Sequence, residues 1–386
     1  PFDVKHDGDP FSDQDGETRS KYHTRIAEII AEIFTRQHRI LVYSVCVFHR
    51  HGYLMFWDRS GTVVTEPLVL TDIDGAAKLF RFLCIIGRMN NVQLGYDHTI
   101  QQVGNSNPDV VKMKAHRPLS EYHTIIDSPW PLYRVLVHTD GALDQRFIIG
   151  RHHSASQSVH GRGTQGFVAY DPMQDRMCFL KQAWRADRAS GNPEYSTYKL
   201  LHEAEVKHVA TPICGGDGAV SPTRTFAQKF FTTAQSPIGR ILHRFVVEEV
   251  FRSLCDICSE LCPAVTAHED AWEKAGILYR DVSEANILIY EHTENNERKL
   301  KGVLTDWDMC KTKARLRIQT EQANRMGTWK FLSAKVLNLP EHTLRPPRPD
   351  DLESFIYVLL WMGCRYHTHD HSDEGNIFQA FLYEFF

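Results

Sequence analysis

The chain of 386 residues is 42% hydrophobic and 24% charged, the proportions of a globular protein with length for two or three domains. A formal net charge of −4 supplies no bulk pull toward nucleic acid or an anionic membrane, and the longest apolar run, Phe355 to Met362, has the length of a buried helix rather than of a membrane span. Nine cysteines, an odd number without compact disulfide spacing, favour a reducing compartment, so an intracellular location, cytoplasmic or nuclear, is expected. The opening Pro-Phe-Asp-Val-Lys is no signal peptide and lacks an initiator Met. With the abrupt Leu-Tyr-Glu-Phe-Phe at the other end, it suggests a piece trimmed at both ends.

Residues 1–20 read as a polar, acidic lead-in. Ile26, Ile29, Ile30, Ile33 and Phe34 then form one stripe of an amphipathic helix over Tyr22 to Gln37. Strands are expected at Ile40 to Phe48, Tyr53 to Trp57 and Thr62 to Thr65, with turns at His51-Gly52 and Ser60-Gly61. A second helix, Asp74 to Arg88, turns Leu79, Phe82, Leu83 and Ile86 inward. Tyr133 to His138 and Arg146 to Gly150 predict a hairpin around Asp140-Gly141. These 150 residues read as a small α/β unit with no catalytic group. Asp58-Arg59-Ser60-Gly61 is either a ligand loop or, more commonly for such a stretch, a tight turn.

Gly161, Gly163, Gly166 and Val168 fit G-x-G-x-x-G-x-V. The glycines stand between two strand-like stretches and not before a helix, so they predict a phosphate-covering β-hairpin rather than a dinucleotide fold. Downstream, Met177-Cys-Phe-Leu-Lys181 ends an apolar strand in a cation that could hold phosphates; the plainer reading is a solvated strand-end lysine. Such a lysine needs an acidic partner on a helix. Glu194, opening a helical segment to His208, is the first choice, with Glu203 and Glu205 as alternatives. Arg240 to Val250 reads as a strand ending in Glu248-Glu249-Val250, where the backbone of Glu248 and Val250 could meet an adenine ring. Cys255, Cys258 and Cys262 share one helix face and read as buried thiols, not a metal site. His152-His153 and His367, His369 and His371 are weak metal candidates for want of partners.

The densest chemistry lies between Gly276 and Lys311. Asp281 and Asn286 stand five residues apart in Arg280-Asp-Val-Ser-Glu-Ala-Asn, and Asp306 follows Val303-Leu304-Thr305. Phosphoryl transfer needs a carboxylate for the acceptor hydroxyl, and an amide oxygen and a second carboxylate for magnesium. Ile287 to Ile289 and Leu300 to Thr305 predict a hairpin carrying Asn286 and Asp306 to one end. Further on, Arg325 to Lys335 would face substrate. Asp351, at the start of a helix to Gly363, would accept backbone N–H groups, as that helix's own cap or from the catalytic loop. Lys311, Lys313, Arg315, Arg317 and Arg325 would pair with a phosphate on Thr312 or Thr320, or simply solvate their segment or meet an acidic substrate.

Together Trp57-Asp-Arg-Ser-Gly61, Gly95-Tyr-Asp97, Arg280-Asp-Val-Ser283 with Asn286, Asp306-Trp-Asp308, Gly327-Thr-Trp329 and Asp350-Asp-Leu-Glu-Ser354 resemble the fungal-type protein kinase family over nearly the whole chain. The resemblance implies an α+β, bilobal protein-kinase-like fold, with a β-rich N-lobe and a helical C-lobe, preceded by the small α/β unit. The expected divisions are 1–150, 151–250 and 251–386. It implies Asp281 as base beside Arg280, Asn286 and Asp306 as Mg2+ ligands, and Lys181 on ATP. The expected function is an ATP-dependent kinase acting on Ser/Thr hydroxyls of proteins, with no nucleic-acid or membrane partner. Four positions depart from the ordinary pattern: Tyr279 before Arg280, Ser283 in place of a lysine, Asp308 in place of a glycine, and Lys335 in place of a segment-closing Glu. They keep open two alternatives, a kinase-fold small-molecule phosphotransferase and a catalytically weak binding or scaffold module.

Overall fold

The computed structural model describes residues 2–5, 16–116, 129–139, 141–187, 193–218, 223–231, 237–253, 261–294, 297–317, 327–338 and 348–366. Cys255, Cys258, Thr320, Arg325 and the three C-terminal histidines lie outside them. The chain is mixed helix and strand. It divides into two compact units, Pro1–Gly191 with Cys214–Val246, and Asn192–Ile213 with Val247–Phe386.

The first unit holds two sheets. One runs β1 (Phe2–Lys5), β2 (Leu41–Phe48), β3 (His51–Asp58), β4 (Gly61–Val64), with β5 (Leu68–Val69) also on β3. Helix α1 (Gly16–Arg36) lays Ile26, Ile30 and Phe34, spaced four apart, against Val42 and Cys46 of β2 and Tyr53, Met55 and Trp57 of β3. Full burial of a side chain such as Ile30 contributes about 1.5–3 kcal/mol. Phe48 pairs with His51 and Asp58 with Gly61, so the turns fall on His49-Arg50 and Arg59-Ser60, earlier than the sequence predicts. Strand pairing decides this: a slip would turn Tyr53, Met55 and Trp57 out of the core. Helix α2 (Ile73–Ile86) buries only Gly75; Leu79, Phe82, Leu83 and Ile86 are half-buried and Phe80 is exposed.

The second sheet has eight strands. Its members are β6 (Ile100–Val103), β7 (Leu132–Val137), β8 (Gln145–Ile149), β9 (Ser154–Ala155), β10 (Gln165–Asp171), β11 (Arg176–Ala186), β12 (Pro212–Gly216) and β13 (Arg240–Val247). Their order is β12-β13-β11-β10-β8-β7-β6, with β9 on β10. β10 is buried along its whole length, with the apolar run Phe167 to Tyr170 at its centre and the polar Gln165 and Asp171 at its ends. α3 (Pro108–Ala115) is capped by the Asn107 side chain on Asp109 N–H and packs Val110 and Met113 on Leu132, Ile148 and Tyr170.

In the second unit, α4 spans Glu194–Glu203 and stops short of His208, because Glu205 and His208 both take positive φ. Then follow β14 (Arg252–Ser253), α5 (Leu261–Lys274), β15 (Ile277–Leu278), β16 (Ile287–Glu294), β17 (Glu297–Leu304), β18 (Lys311–Thr312), α6 (Lys313–Arg317), α7 (Ala334–Asn338) and α8 (Arg348–Tyr366). β16 and β17 form the expected hairpin, in register from Ile287↔Leu304 to Glu294↔Glu297. α8 runs through Gly363. Cys262, expected to be buried, lies on the exposed side of α5.

Candidate active site

Asn286 precedes β16 and Thr305 follows β17. Thr305 donates to the Asn286 carbonyl twice, from N–H at 2.9 Å and from Oγ1 at 3.0 Å. The ladder thus brings Asn286 and Asp306 to one hairpin end. Asn286 Nδ2 donates to the Asp281 carbonyl at 2.8 Å, which fixes the carboxamide with its oxygen turned the other way. The Asp281 carboxylate accepts from Thr328 Oγ1 at 3.1 Å. Gly327, at φ 116°, lets that segment approach: a Cβ there would lie 2.9 Å from Leu332 and 3.2 Å from the Arg280 carbonyl.

Two non-glycine residues here hold left-handed backbone, Arg280 at φ 78° and Asp306 at φ 58°, ψ 64°. Such geometry is unfavourable and persists where surroundings enforce it. The restraints are visible. The Arg280 N–H donates to Asp351 Oδ2 at 2.9 Å, and the buried His268 Nε2 bonds the same oxygen at 3.0 Å. Of the two readings for Asp351, the bond to the loop that carries Asp281 forms. Tyr279, where kinases commonly have His, is fully buried and its hydroxyl donates to the Thr305 carbonyl. Burial, and then the charges of Asp306 and Asp281, push that phenol well above its usual pKa, so it stays a neutral donor. Trp307 meets the Tyr279 ring edge-on at 4.7 Å and donates from Nε1 to the Leu304 carbonyl at 3.0 Å.

α4 adds Glu194, which is buried, whereas Glu203 and Glu205 are exposed. Tyr198, one turn on, is buried beside Glu194 and receives a backbone hydrogen bond from Asp306; burial and the Glu194 charge raise its pKa. Glu248 gives its N–H to the Thr211 carbonyl at 3.0 Å, and Glu249 accepts from Thr211 N and Oγ1 at 2.8 and 2.7 Å. Val250 follows the end of β13. Lys335 is exposed on α7. Thr312 Oγ1 accepts from Arg315 N at 3.4 Å, and the Arg280 guanidinium reaches the Met309 carbonyl at 3.4 Å.

In the first unit, Lys181 on β11 stands directly across from Gly166 on β10, with Nζ 5.8 Å from the Phe245 ring centre. Val168 is buried in β10. Gly161 and Gly163 lie in the loop between β9 and β10 at φ 90° and 48°. His152 is half-buried and His153 more exposed, and desolvation lowers both pKa values.

The hairpin end in the second unit offers a cation oxygen: an amide carbonyl from Asn286 and a carboxylate from Asp306. Among the described residues no group of three or more His, Cys, Asp or Glu is set to hold a metal by itself. Two oxygen donors fit a hard cation that completes its shell with water and phosphate oxygens. His268 and Tyr198 escape sequence reasoning as parts of the site, and Thr328 is read only as part of the substrate-facing segment, not as a partner of Asp281. Of the first two, Tyr198 leaves a trace in the sequence, four positions after Glu194 on one helix face.

The loop and hairpin that carry Asp281, Asn286 and Asp306 belong to one unit; the glycine-bearing hairpin, with Lys181 paired across from Gly166, belongs to the other. A model of the fungal protein kinase family matches residues 3–217 and 222–363, and the chain belongs to that family. No curated protein matches it significantly. Membership supports a phosphotransferase of the kinase class and implies ATP and a second substrate. Among the described residues no helix is long and apolar enough to cross a membrane.

Proposed function

We propose that the chain transfers the γ-phosphate of ATP to Ser/Thr hydroxyls of a protein. The observation that supports this most is the hairpin end, where one ladder and one Asn286–Asp281 hydrogen bond gather Asp281, Asn286 and Asp306. In this reading the Asp281 carboxylate, oriented by Thr328, accepts the proton of the acceptor hydroxyl. Asn286 and Asp306 hold Mg2+, which when bound neutralises charge on the phosphates. Lys181 holds ATP phosphates, with Glu194 as its proposed acidic partner. Gly161, Gly163, Gly166 and Val168 form the proposed phosphate-covering hairpin, and Glu248 and Val250 present backbone to adenine. Thr328 and Gly327 beside Asp281 favour a peptide acceptor over a small molecule, because they bring the segment that would face such a chain onto the base.

The test is transfer of radiolabelled γ-phosphate by the purified chain to Ser/Thr peptide pools and to metabolites, with and without Mg2+. Labelled Ser/Thr peptide, dependent on Mg2+ and lost in Asp281→Asn, is the expected result. Labelled metabolites alone would replace the protein acceptor by a small one.

A further inference from the structure

The turn Arg59-Ser60 sits in a hairpin that the proposed chemistry does not use, yet it is built elaborately. The buried Asp58 carboxylate folds it, Oδ1 accepting from Ser60 N at 2.7 Å, Ser60 Oγ at 2.7 Å and Gly61 N at 3.2 Å. Arg59 is only 4% exposed, and among the described residues no carboxylate pairs with it. Its guanidinium lies 4.5 Å from the Phe34 ring centre and donates from one nitrogen to the carbonyls of Ser158 at 2.6 Å and Val159 at 3.1 Å. Among the described residues Nε has no hydrogen-bond acceptor. Burial, with the Arg240 charge, pulls its pKa down to about 10. A tight turn needs none of this; a small polar residue closes one more cheaply.

What the burial accomplishes is seen a hundred residues further on. Each residue from Ser158 to Gly163 is fixed. Val159 enters the core of α1, β2 and β3. His160 stacks on Trp57 with ring planes 10° apart, Nδ1 on the Asp58 carbonyl and Nε2 on Thr62 Oγ1, both at 3.0 Å. Gly161 N–H donates to the Arg59 carbonyl at 2.9 Å, and the Arg162 carbonyl accepts from Trp184 N at 2.7 Å. At Gly163, φ 48°, a Cβ would lie 2.5 Å from Arg59 Cζ. Only glycine lets the chain lie flat on the guanidinium.

We infer that Arg59 is a positioning residue that holds the glycine-bearing loop in place from the N-terminal sheet. It touches no nucleotide; it sets the backbone of the residues that would. Glycine-rich backbone is the most mobile kind and loses most freedom on ordering, so a loop ordered beforehand binds its ligand better. The inference rests on the reading of Gly161 to Val168 as the phosphate-facing hairpin.

Arg59→Met keeps an apolar stem on Phe34 and removes the donors. In the full chain without nucleotide, amide hydrogen exchange at 158–166 is expected to rise by about tenfold or more, while β2 and β3 stay protected. KM for ATP is expected to rise about tenfold with kcat changed by less than about threefold. Arg59→Lys restores one point charge without the planar fork and is expected to fall between. Should Arg59→Met fail to fold, Arg59→Lys carries the test alone: exchange at 158–166 and KM for ATP are both expected to rise, by less than about tenfold. Unchanged exchange at 158–166 in a folded variant overturns the inference. Raised exchange with an unchanged or lowered KM for ATP overturns it too, leaving a clamp with no bearing on nucleotide. If the unaltered chain binds no nucleotide, the kinase reading falls, and the exchange measurement still decides whether Arg59 orders the loop.

Discussion

Two buried carboxylates organise the two units in different ways. Asp58, 1% exposed, accepts five hydrogen bonds from neutral donors: three from its own turn, and two from the N–H groups of Phe226 at 2.5 Å and Ala227 at 2.8 Å. Around it the backbone lies in tight, saturated turns. Asp351, 5% exposed, accepts from His268 and from Arg280 N–H, and the residue it grips is held at positive φ beside the proposed base. One carboxylate completes a scaffold. The other keeps an unfavourable backbone where chemistry is expected. Substitution should separate these roles, in stability for the first and in turnover for the second.

The largest effect falls on the site. Asp281→Asn and Asp306→Ala should each lower turnover by about two to four orders of magnitude while thermal unfolding stays near that of the unaltered chain. Unchanged turnover in either would remove the role given to that residue. Next comes Asp58→Ala, which strands the Phe226 and Ala227 amides and opens the turn. Calorimetry should report a loss of about 3 kcal/mol or more, since each buried donor left unsatisfied costs about 1–3 kcal/mol. A chain beginning at residue 150 removes Asp58, Arg59 and the α1 core together, and should aggregate rather than fold.

An acid limb should belong to the scaffold as well. Burial, and secondarily Arg244, lowers the pKa of His38 from 6.5 to about 4. The unfolded chain therefore takes up this proton first, and the stability present above pH 6.5 drains away as pH falls toward 4, by up to about 3 kcal/mol. Urea unfolding at pH 7.5 and 4.5 should show the difference, and His38→Gln should flatten it. Asp351→Asn should be milder in stability, a loss of about 1–2 kcal/mol, yet lower kcat by about tenfold as Arg280 relaxes. If kcat follows only the folded fraction, the contrast between the two carboxylates fails. The smallest expected effects separate acids on one helix. Glu194→Gln should raise KM for ATP, while Glu203→Gln, on an exposed side chain, should shift stability by less than about 0.5 kcal/mol and leave KM alone.

The placement of the candidate site was legible in the sequence wherever its logic is short-range. Asp281 to Asn286 spans one turn of loop, and Asn286 to Asp306 spans one hairpin whose pairing follows from apolar runs of matched length. Tyr279 was legible as a departure but not as a part. Its role comes from a hydroxyl that meets the Thr305 carbonyl after the hairpin closes. His268 gave no signal, because a histidine on an amphipathic helix faces a carboxylate 83 positions later only once α5 and α8 pack.

By itself, then, the sequence determined the alternating strands of the N-terminal sheet, the stripe of α1, the spacing that brings Asp281, Asn286 and Asp306 to one hairpin end, and the kinase family. Tertiary structure alone decided where Trp57-Asp-Arg-Ser-Gly61 applies its groups. Asp58 reaches residues 226–227 and Arg59 reaches residues 158–163, separations of about 100 to 170 positions. Local propensity and periodicity act within a turn or a strand pair and carry no information over that range. Such contacts form because packing of the core brings distant backbone carbonyls and amides beside buried polar side chains, which must then find partners or go unsatisfied.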